Sequence, residues 1–381
     1  MYYLGLVLGL VALLLKETLL RPELVMDFCQ LISSFFLAIH LVSVMQKYTP
    51  RLKALMALAL LVSLAIGMCS DSLFLLFFTY ALIFGAKGIS FHNILTVYNI
   101  ASAVFCISIL LLCYLGFVRN EATFSDDREF ITSGGLRNSF GYVWPTNFAT
   151  HVFFILLTYW ILIKGNLSFV KACVYLFIFY WVLIYTDARL GTGCVLLILL
   201  FTAYLRFQHF IPLWLRMSFA RLSVVWIPIL FVLTMWATLN YDSGNMDWFV
   251  IDVVLSSRLR IGQDAFMQEG ITFWGQKVEM KGGETIGSMY NYIDSSFLQA
   301  IIIYGICFTF LLLVAYLYIS YKAYKRRDYT FLCAIFIAGI SGFIAQHFLQ
   351  IYMNPLLISI FADNDMVEQP NVVGSGEVIS N

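Results

Sequence analysis

The chain has 381 residues, of which 61% are hydrophobic and 12% are charged, and its formal net charge is +1. A soluble fold cannot bury that much apolar surface, so the composition excludes a soluble enzyme, a disordered chain and a collagen-like fibre. The small net charge gives no reason to expect a nucleic-acid partner. Divided into helices of about 20 residues, the apolar part suffices for eleven or twelve membrane crossings.

Eleven apolar runs follow one another along the chain, and each predicts a membrane helix. The first run has neither a basic leader nor a small-residue cleavage site, so we expect it to stay in the protein. The last run is too long for one helix and short for two, and a break at Gln346 and His347 would make it a hairpin. The runs are 2–15, 24–46, 52–69, 72–86, 94–118, 142–163, 169–186, 190–205, 222–239, 293–320 and 329–361.

The predicted fold class is therefore all-α, a polytopic integral membrane protein with 11–12 transmembrane helices and a long extracytoplasmic loop. We expect one transmembrane domain over 1–361 and a polar tail over 362–381. Whether the chain crosses eleven or twelve times, and on which side the tail lies, stays open.

Lysine and arginine in the short loops predict the orientation. Five of these loops hold thirteen Lys and Arg against one acid, Asp328; they are 47–53, 87–93, 164–171, 206–221 and 321–328. By the positive-inside rule we expect them on the cytoplasmic side. The two long loops, 119–141 and 240–292, would then face outward, and so would any site built from them.

The sequence gives no indication of a metal or a cofactor. All eight cysteines fall inside apolar stretches and none forms a CxxC pair, which indicates neither a disulfide framework nor a zinc site. Gly191 and Gly193 form a GxG, but no strand precedes it, so it fails as a nucleotide-binding motif. We therefore expect no cofactor.

Cations in the outward loops are the best candidates for chemistry. An arginine donates two parallel hydrogen bonds to a phosphate, so several arginines from separate loops would bind a diphosphate without metal. Arg189 is favoured because it lies between two apolar runs, where an ionisable side chain is costly. Asp187 cannot face it on a helix, so we expect this pair to flank a turn. The alternatives are solvated arginines, arginines paired with nearby acids and, for Arg189, extension to lipid headgroups.

The second long loop predicts a short helix. Ser256 and Ser257 are candidate caps before a run that stops at Gly270. Arg258 and Arg260 would lie in its first turn, where helix amides favour anions. The aromatic candidates for stacking on a sugar, or alternatively for anchoring at the membrane surface, are Trp274, Tyr290 and Tyr292.

Residues 137–149, RNSFGYVWPTNFA, resemble the R…GF-x-HPN-x-FA element of bacterial polysaccharide repeat-unit polymerases of the Wzy type. The family's His-Pro-Asn is Trp-Pro-Thr-Asn here, so the histidine is absent or moved. Arg189 resembles the arginine that follows a transmembrane helix in this family and in O-antigen ligases. Arg258, the segment 273–276 and the segment 293–306 resemble later family elements, in the family's order.

The resemblance implies a metal-independent glycosyltransferase in the bacterial plasma membrane with an outward-facing active site. It would join undecaprenyl-diphosphate-linked repeat units into a capsular, exo- or O-antigen polysaccharide. Fixed guanidinium groups would stabilise the departing diphosphate. The implied partners are the lipid-linked oligosaccharide and the bilayer, with a flippase and a chain-length regulator as further candidates. The implied catalytic residues are Arg189, Arg137, Arg258 and Asp294, and the implied substrate-binding residues are Arg128, Arg260, Asn147, His151, Trp274, Gln276 and His347.

Several alternatives stay open. The base for the acceptor hydroxyl could be Asp294, Glu269 or His347. His151, one turn after Asn147, could instead be a hydrogen-bonded packing residue. The chain could also be a flippase or transporter of lipid-linked oligosaccharide, against which the scarcity of charges inside the apolar runs argues. An O-antigen-type ligase, or a polytopic membrane protein of another role, completes the alternatives.

Overall fold

A computed structural model of the chain describes residues 1–123, 137–280 and 292–363. The described structure is about 75% helical. Two strands of two residues each, β1 (Ala122–Thr123) and β2 (Arg137–Asn138), pair antiparallel. The helices are α1 (Tyr2–Lys16), α2 (Glu23–Met45), α3 (Pro50–Cys69), α4 (Leu73–Gly85), α5 (Phe91–Tyr114), α6 (Pro145–Leu162), α7 (Phe169–Thr186), α8 (Arg189–Phe207), α9 (Leu213–Leu239), α10 (Met246–Val254), α11 (Arg258–Glu269), α12 (Ser296–Ile302), α13 (Gly305–Lys325) and α14 (Tyr329–Ile344).

Eight helices within the described residues are long and apolar enough to cross a membrane: α2, α3, α5, α6, α7, α8, α9 and α13. Three further apolar helices, α1, α4 and α14, have 15, 13 and 16 residues. At 1.5 Å per residue these three are shorter than the hydrocarbon core of a bilayer. The predicted helical fold is confirmed, and each predicted apolar run overlaps at least one of these helices.

The prediction of one helix over 293–320 is wrong, because the chain breaks between α12 and α13. Gly305 has a φ of 84°, a conformation that L side chains rarely adopt, and it starts α13 in a new direction. The backbone of the second long loop occupies the break. The amides of Ile306 and Cys307 donate to the carbonyl oxygens of Thr272 and Phe273 over 3.1 and 3.2 Å.

The helix predicted at 222–239 begins earlier, at Leu213, so most of the predicted loop 206–221 is helical. The prediction placed the boundary at Arg216 and Arg221, but arginine is a good helix former and does not end a helix. Pro228 lies inside α9 without ending it.

The last region forms a hairpin with one helical and one irregular limb. The chain leaves α14 after Ile344 and returns through short 3-10 helices at Gln346–Phe348 and Pro355–Ile360, close to the predicted break. Side chains provide hydrogen-bond partners for backbone groups of the irregular limb. For example, Lys322 Nζ donates to the carbonyl oxygen of Ser359 over 3.1 Å. The predicted tail is attached at its start, since the amide of Asp363 donates to Ile89 over 2.9 Å. The rest of it, 364–381, lies outside the described residues.

The five lysine- and arginine-rich loops lie at one end of the helix bundle, called the basic end below. The pairing of Asp363 with Ile89 joins the loop after α4 to the end of the hairpin, and Lys322 reaches the same limb. Thr330 Oγ1 donates to the carbonyl oxygen of Lys164 over 3.2 Å, which adds the loop before α7. The two long loops lie at the other end, called the opposite end. These contacts agree with the predicted grouping for the loops 87–93, 164–171 and 321–328.

The centre of the bundle is formed by α6, α14 and the irregular limb. Trp160, Phe153 and Phe154 of α6 have no exposed surface, and most of α14 is buried as well. α6 packs on α5 and α8, and α14 packs on α8 and α9. At the opposite end of the bundle, the start of α6 and the end of α14 carry candidate residues on two helices that are in contact.

Candidate functional site

Two of the predicted arginines flank the turn between α7 and α8. Asp187 ends α7 in the left-handed conformation, with a φ of 47°, and Arg189 starts α8. Arg189 Nε lies 3.2 Å from Asp187 Oδ1, so the predicted pair at a turn is confirmed. Arg137 Nε donates to the carbonyl oxygen of Thr186 over 3.0 Å. Arg189 is the more accessible of the two ion-paired side chains, at 42% exposed against 19% for Asp187.

Asn147 is held by a carboxylate that the sequence analysis did not single out. It lies in the first turn of α6, which begins at Pro145 because proline suits the first helical position. Its Nδ2 donates to Glu17 Oε2 over 2.5 Å, and the Tyr352 hydroxyl donates to Glu17 Oε1 over 2.6 Å. Glu17 thus joins the end of α1, the start of α6 and the irregular limb.

The first turns of α6 and α8 are in direct contact. Gly191 faces Ala149 so closely that a methyl group at Gly191 would lie 3.2 Å from the Ala149 carbonyl carbon. Arg189 and Asn147 each lie two residues before this contact, on adjoining helices. Together with Arg137 and Glu17 they form a group that we call the α6–α8 corner.

Burial controls the charge of Glu17, which lies in the link between α1 and α2. Burial raises the pKa of the Glu17 carboxyl above its ordinary value, while the hydrogen bond from Tyr352 and the charges of Arg21 and Lys16 lower it by less. A carboxylate whose pKa lies nearer neutrality is a better proton acceptor than an exposed one. The two observed hydrogen bonds leave lone pairs on both of its oxygens.

The two histidines among the candidates differ in their partners. His151 is fully buried, and its Nδ1 lies 2.7 Å from the Tyr142 hydroxyl, which matches the alternative of a hydrogen-bonded packing residue. His347 is 3% exposed, and within the described residues neither of its ring nitrogens has a hydrogen-bond partner. The two rings are close enough to interact electrostatically.

Arg258 and Asp294 form a second group, the α14 end. Arg258 Nε donates to the carbonyl oxygen of Ile344 over 2.9 Å, and Nη1 donates to Leu255 over 3.0 Å. Arg258 Nη2 lies 3.4 Å from Asp294 Oδ2. Arg258 therefore binds the last carbonyl of α14, in addition to any contact with a substrate.

Residues that follow α14 connect the two groups. Gln346 Oε1 accepts hydrogen bonds from the Tyr292 hydroxyl, over 2.6 Å, and from Gln299 Nε2, over 3.0 Å. Six residues later, Tyr352 reaches Glu17. Polar contacts thus occur at Ile344, Gln346 and Tyr352, along the segment that leads from the α14 end to the α6–α8 corner.

The predicted short helix is present as α11, but its cap is not a serine. It runs from Arg258 to Glu269 and ends at Gly270, as predicted. Ser257 makes no capping hydrogen bond with its side chain. Buried Asp252, from α10, accepts instead from the amides of Leu259 and Arg260, over 2.8 and 3.3 Å, which satisfies the first turn.

The remaining candidates lie at the surface or serve the loop itself. Arg260 is exposed, and the Trp274 side chain is 42% exposed. Gln276 Nε2 donates to the carbonyl oxygen of Glu269 over 3.0 Å, and its amide donates to Ile303 over 2.8 Å, so it fixes the loop. Arg128 and Tyr290 lie outside the described residues.

The sequence analysis missed Glu17, Tyr352, Gln346 and Asp252. A signal existed for Glu17, which is an acid directly between two apolar runs, as Arg189 is a base between two others. None existed for Tyr352 and Gln346, because their partners are distant in sequence. Asp252 was missed although the amides it caps are only seven and eight residues away. The described residues contain no group of three His, Cys, Asp or Glu that could hold a metal ion.

Comparison of the chain with models of protein families, with curated proteins and with solved structures found no match.

Proposed function

We propose that this protein is a membrane glycosyltransferase that joins lipid-diphosphate-linked oligosaccharide units into a polysaccharide. The observation that carries the proposal is the α6–α8 corner, where Arg137, Asn147 and Arg189 lie around one contact between helices. These residues belong to the first two of the sequence elements that resemble those of repeat-unit polymerases. Side chains dispersed in the sequence are expected to converge if they bind one substrate.

The proposed reaction uses the charges of this corner. The donor is a glycan on undecaprenyl diphosphate, and the guanidinium groups of Arg137 and Arg189 bind the diphosphate. The acceptor hydroxyl oxygen forms a bond to the donor's anomeric carbon, and the bond from that carbon to the diphosphate oxygen breaks. The diphosphate leaves with the electron pair, where fixed positive charge stabilises it.

We assign the acceptor's proton to Glu17. Its carboxylate is held in place by Asn147 and Tyr352, and burial raises its pKa. Asp294, a predicted base, lies 3.4 Å from the Arg258 guanidinium at the α14 end and is not among the described contacts of the α6–α8 corner. His347 remains a second acceptor, because its ring nitrogens have no partner among the described residues.

The proposal places the helices in the bacterial plasma membrane, with the basic end in the cytoplasm. Large apolar side chains are exposed on the flanks of the long helices, for example Leu31 at 70%, Phe177 at 67% and Val232 at 62%. Surfaces of this kind are stable in lipid and costly in water. The α6–α8 corner then faces outward, on the side where lipid-linked repeat units are joined.

The test is complementation of cells that lack this protein with the Arg189→Ala variant. We expect loss of long polymer, an unchanged protein level and accumulation of the lipid-linked single repeat. Arg119→Ala is the matched control, since Arg119 is an exposed arginine at the same end. A flippase defect would instead leave the single repeat on the cytoplasmic face. Long polymer made by Arg189→Ala would contradict the proposal.

A further inference from the structure

A cavity of about 990 Å³ lies at the basic end, far from the α6–α8 corner. It is lined by the loop before α7, the end of α8, and the link between α13 and α14. Its walls carry five cations and a single carboxylate, that of Asp328, an excess of four positive charges. The cations are Lys164, Arg206, Lys322, Arg326 and Arg327.

None of these cations forms an ion pair within the part of the chain that the structure describes, although Asp328 interacts electrostatically with Lys164 and Arg326, and Asp363 with Lys322. The ion pairs found there all lie at the opposite end. Asp328 is occupied as the cap of α14, where its Oδ1 accepts from the amide of Phe331 over 3.0 Å. Uncompensated positive charge around a concave surface attracts an anion.

One cation is fixed by hydrogen bonds, and the others have exposed side chains. Lys322 is half-buried, and its Nζ donates to the carbonyl oxygens of Ser359 and Ile360 over 3.1 and 3.2 Å. An ammonium group has three donors, so one remains for a ligand. The side chains of Arg206, Arg326 and Arg327 are exposed at the rim. Arginine forks match the oxygens of a phosphate.

The edge of the cavity is apolar, which favours an amphiphile over a free anion. Phe169 lines the cavity and is 82% exposed. Phe207 and Phe210, which follow Arg206, are 53% and 76% exposed. Inside the cavity, Leu205 and Phe331 add apolar surface. A phosphate among the cations would therefore have hydrocarbon surface directly beside it.

We propose that this cavity binds the phosphate headgroup of an anionic phospholipid of the cytoplasmic leaflet, with the acyl chains against Phe169 and its neighbours. Basic pockets between transmembrane helices at this face suit such headgroups. The inference rests on the membrane placement of the proposed function and not on its chemistry. A phospholipid in this position would join α7, α8 and α13 at their cytoplasmic ends.

Native mass spectrometry of the purified protein, titrated with phosphatidylglycerol or phosphatidylcholine, tests the proposal. The variant is Arg206→Gln with Arg326→Gln, and the control is Arg51→Gln with Lys325→Gln, which removes the same charge at the same end outside the cavity. We expect wild type to prefer phosphatidylglycerol, and the variant to bind it about 25-fold more weakly, at about fivefold per cation. The control should bind as wild type does.

Three results would overturn the proposal. Equal weakening in the variant and the control would mean general attraction to a basic surface. Equal binding of both lipids by wild type would mean no headgroup site. Displacement of the lipid by glycerol phosphate, at concentrations comparable to the lipid, would mean a site for free phosphate. The thermal unfolding midpoints of both double variants are measured without added lipid. If these midpoints equal that of wild type, weaker lipid binding is due to loss of the site and not to a destabilised fold. Polymer formation is measured separately, so failure of this proposal leaves the polymerase proposal standing.

Discussion

The Tyr352 hydroxyl donates a hydrogen bond of 2.6 Å to Glu17 Oε1, across 335 residues of sequence. This contact fastens the irregular limb after α14 to the link between α1 and α2. Asn147 donates to the other carboxylate oxygen, so one acid fixes three parts of the chain at the α6–α8 corner. The relationship makes Glu17 a residue on which both the stability and the proposed chemistry depend.

The stability of the protein should depend on pH through Glu17. Burial raises its pKa, so the folded protein binds this proton more tightly than the unfolded chain does. The stabilising contribution is complete below the ordinary pKa of Glu, about 4.3, and is lost as the pH rises through the raised value. Glu17→Gln, which never ionises, should therefore become more stable relative to wild type as the pH rises from acidic to neutral. Thermal unfolding in detergent over a pH series measures this difference.

The control for this prediction is Glu23→Gln, since Glu23 is an exposed acid at the start of α2. It should reproduce the wild-type profile. Tyr352→Phe removes a bond that lowers the pKa of Glu17, so the wild-type loss of stability should move to higher pH in that variant. A difference between Glu17→Gln and wild type that is the same at every pH would contradict the account.

Gly275 should be far less tolerant of substitution than another glycine of similar conformation. Gly275 has a φ of 88°, and an added methyl group would lie 2.5 Å from the Ile303 carbonyl oxygen. Gly116 has a φ of 79° but nothing within 4 Å of the same position. Gly116→Ala should cost about 1–2 kcal/mol from its backbone conformation, and Gly275→Ala roughly 2–5 kcal/mol because backbone atoms must also move. Unfolding midpoints of the two variants test this, and equal losses would show that the contact with Ile303 does not matter.

Arg258 should contribute to stability as well as to activity. Its guanidinium binds the carbonyl oxygens of Ile344 and Leu255 and lies 3.4 Å from Asp294. Arg258→Ala leaves these oxygens without their donor and should cost about 1.5–3 kcal/mol. Arg258→Lys should retain only part of this stability, because a single ammonium group cannot reach the two carbonyl oxygens and the Asp294 carboxylate together. Exposed Arg260 is the control, and Arg260→Ala should unfold as wild type does. If Arg258→Ala is as stable as wild type but inactive, Arg258 acts only on the substrate and does not stabilise the fold.

The proposed membrane orientation predicts which end of the bundle reacts with a membrane-impermeant thiol reagent in intact cells. Lys277 lies at the opposite end, with a side chain 65% exposed, and pairs with Asp71 over 2.7 Å. Lys325 is exposed at the basic end. Lys277→Cys should gain labelling over wild type in intact cells, and Lys325→Cys only after lysis. The reverse pattern would invert the proposed orientation.

Much of the fold was predictable because apolar runs and turn residues carry local information. The bounds of α2 and α7 follow the predicted runs, and the break near Gln346 and His347 matches one of the two alternatives for the last run, the hairpin. The break before Gly305 was not predictable, since a single glycine inside an apolar run does not by itself end a helix. It is the backbone at Thr272 and Phe273, distant in sequence, that makes Gly305 turn.

The candidate site was predictable in part for the same reason. Arg189 and Asp187 are neighbours in sequence, so their pairing at a turn followed from helix geometry. The partners of Glu17 are 130 and 335 residues away, and no local pattern indicates such contacts. Arg258 was expected beside the other arginines, but its described contacts are with the end of α14 and with Asp294.

The central claim is that the α6–α8 corner elongates a lipid-linked glycan, and the most direct test is elongation in vitro. The substrate is the undecaprenyl-diphosphate-linked repeat unit isolated from cells that lack this protein. We predict that purified wild-type protein produces a ladder of polymer in the presence of EDTA, and that Arg189→Ala and Glu17→Gln do not, while Arg119→Ala does. No elongation by wild type, a need for divalent metal, or a normal ladder from Arg189→Ala would contradict the account.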